Sequence, residues 1–141
     1  MISDKVVARF KDGKLIKGTA RSFISDKKGF KLELINGEIK DIDIEKLKAL
    51  FYVKTFEGNK NYLKIYTDVI PEAGRRLIVE FNDGEIIVGY SRDYSPDVQG
   101  FFLIPADIKS NNERIYVVTS ATKSIFLSER KLEMSVENVM A

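Results

Sequence analysis

The sequence predicts an all-β protein made of two tandem five-stranded, strongly bent small β-barrels. Three observations carry that prediction. A segment recurs 71 residues downstream, each copy holds an Asp-Gly pair between alternating apolar stretches, and each copy has a glycine at the same place in its second strand.

The stretch from Val7 to Gly18 is answered by that from Ile78 to Gly89: Phe10, Asp12, Gly13, Ile16 and Gly18 meet Phe81, Asp83, Gly84, Ile87 and Gly89. The register continues through Arg21, Phe23, Asp26, Gly29, Phe30 and Leu32, which meet Arg92, Tyr94, Asp97, Gly100, Phe101 and Leu103. About four extra residues then enter the second copy around Lys109 to Asn112, before Lys48 to Phe51 realign with Lys123 to Phe126. A repeat of this length calls for one shared fold.

Asp-Gly between alternating strands is a hairpin signal, because a type I′ turn needs positive φ at its centre; strands one and two therefore pair. Gly18 and Gly89 mark a sharp bend in the second strand, where a missing side chain lets a small sheet curl. Third strands follow at Phe30 to Leu34 and Phe101 to Ile104, fourth strands at Ile39 to Ile44 and Arg114 to Thr119, and fifth strands at Leu50 to Lys54 and Ser124 to Leu127. The chain thus divides into a first barrel (1–54), a connecting segment (55–74), a second barrel (75–128) and a tail (129–141). In the connecting segment, Tyr62 to Tyr66 alternates well enough for a further strand, and Pro71 to Gly74 supplies a turn. In the tail, Leu132, Val136, Val139 and Met140 have the spacing of a short helix.

Alternate residues of a strand point to opposite faces. The inner faces of the copies agree: Val6, Ala8, Phe10, Ile16, Phe30 and Leu32 match Leu77, Val79, Phe81, Ile87, Phe101 and Leu103. The outer faces differ. Val7, Leu15, Lys17, Thr19, Lys31 and Glu33 are matched by Ile78, Ile86, Val88, Tyr90, Phe102 and Ile104, so the second copy has a continuous apolar outer face. Such a face needs cover. Either the chain supplies it, or these six residues form an interface with another protein or a second copy.

The 141 residues are 44% hydrophobic and 31% charged, and the longest apolar run, Phe101 to Ile104, stops at Pro105, so no membrane-spanning helix is expected. The first five residues lack the pattern of a signal or transit peptide, and the expected location is the cytoplasm. The Lys, Glu and Ile bias without cysteine suits a thermophile. Without cysteine or histidine the chain has no disulfide, no thiolate nucleophile and neither of the two commonest metal-ligand side chains. No carboxylate, lysine and tyrosine form a recognisable acid-base pair, so no enzyme, no metal and no cofactor is predicted. Asp41, Asp43 and Glu45 alternate along one strand without further ligands and make only a poor divalent-cation site.

Net charge is +2, with 15 Lys and Arg against 11 Asp and Glu in residues 1–74 and 8 against 10 in residues 75–141. Only the first half is basic. Its Lys11, Lys14, Lys17, Lys27 and Lys28, with Phe23, form a candidate nucleic-acid rim of phosphate contacts and base stacking. Arg21 and Arg92 recur at equivalent sites beside the shared Asp26 and Asp97, which predicts ion pairs; Lys48 and Lys123 also recur.

The order of a hydrophobic strand, Asp-Gly, a further Gly, an aromatic and a third strand resembles the first half of the Sm-like barrel of Sm proteins and Hfq. That resemblance implies a bent five-stranded barrel, ring-shaped oligomers and RNA binding. Sm proteins carry an Asp after the aromatic and an Asn three residues on; here Phe23 is followed by Ile24 and Tyr94 by Ser95. The whole chain, including Lys54 to Asn59 and Gly100 to Asp107, is similar to an uncharacterised bacterial family of tandem small-barrel domains whose members accompany signalling modules. The cyclic-dinucleotide pattern of PilZ domains begins at Asp93 to Ser95 but places Val98 where glycine is required, and no Arg-x-x-x-Arg occurs. The predicted function is a non-catalytic interaction module, an adaptor binding another protein. The alternative is Sm-like binding of RNA or single-stranded nucleic acid.

Overall fold

The computed structural model describes residues 4–21, 23 and 27–128. Ten strands carry the fold: β1 (Lys5–Phe10), β2 (Leu15–Thr19), β3 (Gly29–Leu34), β4 (Ile39–Asp43), β5 (Leu47–Val53), β6 (Arg75–Phe81), β7 (Ile86–Ser91), β8 (Gly100–Pro105), β9 (Asn112–Val118) and β10 (Thr122–Leu127). They form one open antiparallel sheet in the order β10-β6-β7-β8-β9-β5-β1-β2-β3-β4. The protein is therefore all-β as predicted, but the strands do not separate into two closed barrels. Each half keeps the order fifth-first-second-third-fourth, and β5 pairs across to β9, with Leu50 opposite Tyr116 and Phe51 opposite Ile115. The predicted tail helix and Asp26 lie outside the described residues.

Three tight hairpins share one construction. Gly13 N–H donates to Phe10 O at 3.0 Å, Phe10 N–H to Lys14 O at 2.9 Å, and Lys14 N–H to the Asp12 carboxylate at 2.9 Å. Asn36-Gly37 and Asp83-Gly84 repeat these bonds. Gly13 and Gly84 have φ of 92° and 94°, while no described residue other than glycine has positive φ. The predicted type I′ turn needs two such residues, so the turn formed is the three-residue loop with one left-handed glycine. The Asp or Asn side-chain oxygen stabilises it by accepting the amide two residues on.

Gly18 and Gly89 act as the sequence suggests. A β-carbon on Gly18 would stand 2.4 Å from Glu33 O, and one on Gly89 2.4 Å from Ile104 O. Only at that point do the second and third strands of each half pair, Gly18 with Leu34 and Gly89 with Pro105.

Two cores lie on opposite faces of the central strands. Val6, Ala8, Leu50, Tyr52, Tyr116 and Val118 join Phe30, Leu32 and Ile42 in one core. Val7, Ala49, Phe51, Val53, Ile115 and Val117 join Leu77, Val79, Phe81, Ile87, Phe101 and Leu103 in the other. Every residue of β5 is consequently buried. Phe102 and Tyr116 surround Phe23 edge-on with Phe30, ring centroids 4.7 to 6.1 Å apart. Arg114, opposite Tyr52 in the ladder, stacks over the Tyr52 and Phe102 rings at 4.1 and 4.7 Å.

Lys48 pins the halves together. Its side chain is buried, covers the Phe81 ring at 4.8 Å and donates to the Asp83 carboxylate at 2.7 Å and to Glu85, both on the second half's first hairpin. Its repeat equivalent Lys123 stands 3.8 Å from Glu80. Arg21 pairs with Glu33 at 3.0 Å, and no ion pair joins Arg92 to Asp97 among the described residues.

Tyr62 to Tyr66 forms no strand, because its amides find other acceptors: Ile65 N–H donates to the Asp107 carboxylate at 2.9 Å. Farther along, Tyr66 and Ile70 lie with Val88, Tyr90, Ile104 and Ala106 in a third apolar cluster.

Two outcomes test this account. Gly18→Val and Gly89→Val should each lower stability by about 1–3 kcal/mol in urea titrations, since carbonyl oxygens occupy the space of the new side chain. The hydrogen bond from Lys48 holds the Asp83 carboxyl below the usual range, so this stabilisation is complete above the ordinary carboxylate pKa and is lost as pH falls through the lowered value. Thermal melts down an acid series should show that loss in the wild type and a flatter profile in Lys48→Met.

Candidate functional site

A cleft of about 450 Å³ opens between the connecting segment and the outer face of the first half. Its floor comes from the period-two alternation of the central strands. Val7 on β1 lies opposite Lys17 on β2 and Phe51 on β5, and Arg9 stands over the Phe51 ring at 5.7 Å. The walls are Phe56 to Lys60, Tyr62 and Lys64 on one side and Ser110 to Asn112 on the other.

The wall is held largely by the segment from Asp107 to Asn111, in and beside the second copy's insertion. Asn111 clamps Thr55: its side-chain oxygen accepts from Thr55 N–H at 3.1 Å, its side-chain amide donates to Thr55 O at 2.9 Å, and its carbonyl accepts from Lys54 N–H at 2.9 Å. Lys54 Nζ donates to Ile108 O at 2.7 Å. The buried Asp107 carboxylate receives Tyr62 O–H at 2.7 Å on one oxygen and Ile65 N–H at 2.9 Å on the other. Asp68 completes the attachment, accepting Ile108 N–H at 2.6 Å. From the sheet, Lys17 Nζ donates to Phe56 O at 2.7 Å.

Arg9, Lys17, Lys60 and Lys64 line the cleft against Glu57 and Glu85, so its charge is cationic. With amide groups of Asn59, Asn111 and Asn112 beside the cations and the Phe51 and Phe56 rings beneath, it can bind an extended anionic chain. Among the described residues no group of three or more acidic side chains is placed to hold a metal ion. Asp41 is engaged by Lys31 at 2.7 Å, and Asp43 caps the turn after β4 by accepting Glu45 N–H at 3.0 Å.

The predicted interface residues are mostly covered by the chain itself. Val88, Tyr90 and Ile104 pack under Tyr66 and Ile70, Phe102 packs against the first half's core, Ile78 is half-buried, and Ile86 is exposed. The predicted nucleic-acid rim is dispersed. Lys17 lies in the cleft, while Lys11 donates to Ser120 Oγ at 2.7 Å and Lys14 sits in the first hairpin. Lys27 and Lys28 precede β3, where their carbonyls accept from Gln99 and Ile44, and Phe23 is enclosed by aromatic rings. Reasoning from the sequence missed Arg9, Lys60, Lys64 and Asn111. The copy-specific insertion around Lys109 to Asn112 was the signal that could have found them.

Fold and cleft together define an all-β protein with a cationic groove beside a ten-stranded sheet. No described helix is long and apolar enough to cross a membrane. The chain belongs to a family of unknown function (DUF6982), whose model matches residues 2–128. No curated protein and no solved structure matches it.

The wall can be tested by alkaline titration. The hydrogen bond to Asp107 pushes the Tyr62 phenol up to about 12, and burial pushes Tyr66 up to about 12. The attachment is therefore intact below the ordinary tyrosine pKa and is lost as pH rises through about 12. Phenolate absorbance of Asp107→Asn should show Tyr62, and to a smaller extent Tyr66, ionising earlier than in the wild type, with the bulk of the sheet still folded.

Proposed function

We propose that the protein is a non-catalytic interaction module that takes an acidic, extended segment of a partner protein into the cleft. One observation carries this reading: the connecting segment, clamped by Asn111, brings Lys60 and Lys64 beside Arg9 and Lys17 of the sheet, above the Phe51 ring. The binding of a protein is favoured over a nucleic acid because, among the described residues, no ring is placed to stack bases: Phe23, the predicted stacking platform, is enclosed by other rings, and Phe51 beneath the cleft is buried. Each half reads as an Sm-like unit opened at one edge, supported by the repeated strand order and the close approach at Gly18 and Gly89. A cytoplasmic location and a bacterial signalling context belong to the same reading, on the sequence resemblance alone.

Fluorescence anisotropy with labelled oligoglutamate and with oligouridine of equal charge tests it. The peptide is expected to bind, and Arg9→Glu with Lys64→Glu should weaken it by about tenfold or more, because both reversals act on a site walled from solvent on two sides. Tighter binding of the oligonucleotide, with a steep salt slope, establishes the nucleic-acid alternative instead. No binding of either at low salt overturns the cleft as a site.

A further inference from the structure

The internal joint between the halves has a counterpart at the two ends of the sheet. β9 is the fourth strand of its half and β5 the fifth of the other; among the described residues the outermost strands, β4 and β10, are again a fourth and a fifth strand. A second copy of the chain could in principle repeat the joint, β10 of one copy against β4 of the next, and nothing in a head-to-tail contact of this kind closes it after one step. The ladders give the register. Gly29 pairs with Asp43 as Gly100 pairs with Val118, which makes Lys40, Asp41 and Asp43 the equivalents of Ile115, Tyr116 and Val118. Leu77 pairs with Leu127 as Val6 pairs with Tyr52, which makes Ile125 and Phe126 the equivalents of Leu50 and Phe51.

The side chains at the two places differ in kind. At the internal joint Phe102, Tyr116 and Val118 lean into the core of the first half, and Tyr116 and Val118 are fully buried. At the free end their equivalents are Lys31, Asp41 and Asp43, with Lys31 and Asp41 joined in a 2.7 Å ion pair whose side chains are 68% and 83% exposed. The β10 end has stayed receptive: Phe126 and Leu127 are 58% and 50% exposed, and Ile39, which the same register sets opposite Leu127, is 57% exposed. An edge that can pair invites assembly, and inward-facing charge is a known way to prevent it. Bringing Asp41 against Ile125 strips water from the exposed Lys31–Asp41 pair, and the apolar strand offers neither charge a new partner.

We infer that Lys31, Asp41 and Asp43 are a stop: they keep the β10 edge from accepting the β4 edge of a second copy and hold the chain at a single pair of units. The difference between the outer faces of the two copies thereby has two results. Phe102 on the apolar face of the second copy packs at the internal joint, and the charged face of the first copy, where Lys31 stands in its place, prevents the joint's repetition.

The test transplants the second copy's residues onto the first. Lys31→Phe, Asp41→Tyr and Asp43→Val are combined, and sedimentation is measured over a concentration series. The wild type is expected to sediment as one chain throughout. The triple variant should rise with concentration past the mass of two chains, and adding Phe126→Lys should return it to one. Asp41→Tyr alone, which leaves the Asp43 cap in place, should move the same way by less and decides the matter where the triple variant does not fold. Three results overturn the inference: a wild type that associates and is dispersed by Phe126→Lys, a folded Asp41→Tyr and triple variant that both stay single, or an association of the variants that Phe126→Lys does not reverse.

Discussion

The ladder between β5 and β9 is the constraint on which the rest of the structure depends. Joining the fifth strand of one unit to the fourth of the other turns two edges into interior strands and gives each of them two buried faces. A strand buried on one side can alternate apolar with polar residues; β5, from Leu47 to Val53, has no position left for an exposed side chain. Its single charge, Lys48, is accommodated only because the second half's hairpin brings Asp83 and Glu85 to it. Truncating a buried aromatic at such a joint costs about 3–5 kcal/mol, whereas a stacked guanidinium contributes about 0.5–1 kcal/mol where it is still partly exposed. Tyr52, Phe102 and Tyr116 therefore hold the joint, and Arg114 orders it.

The two units are alike where they curl and unlike where they meet. Gly18 and Gly89, or Gly13 and Gly84, solve the same local problem twice with the same residue. Beyond the joint, the second half needs one further cover, and the connecting segment supplies it with Tyr66 and Ile70 over Val88, Tyr90 and Ile104. That segment has no ladder of its own, so its polar groups go to side chains: Asp107 and Asn111, both in or beside the insertion, take the bonds that strand neighbours would otherwise make.

The strands and the first hairpin of each half were legible in the sequence, because period-two alternation and Asp-Gly punctuation are local signals. The joint was not, since it depends on which edges meet, and alternation is silent about partners. Of the face read as needing cover, Val88, Tyr90 and Ile104 lie under Tyr66 and Ile70 of the connecting segment, and Phe102 packs against the other half, neither of which alternation could announce. Phe23 was misjudged for a related reason: an aromatic near lysines looks like a stacking platform until the second half closes over it. The cleft escaped because its cations are scattered, Arg9 and Lys17 on strands and Lys60 and Lys64 on the connecting segment, and only the insertion brings them together.

Placing the cleft outside the ladder separates two demands. The sheet's stability rests on buried pairs that tolerate little change, whereas the cleft wall rests on a few side-chain to backbone bonds at the surface. Segments held that way open at lower cost than the sheet beneath them. The wall from Phe56 to Lys64 is therefore the part of the cleft that can move at least cost, while Phe51 and Val7 stay fixed by the core on which they stand. A cleft of one fixed floor and one yielding wall follows directly from joining two copies of a unit by a segment that neither copy needs for its own strands.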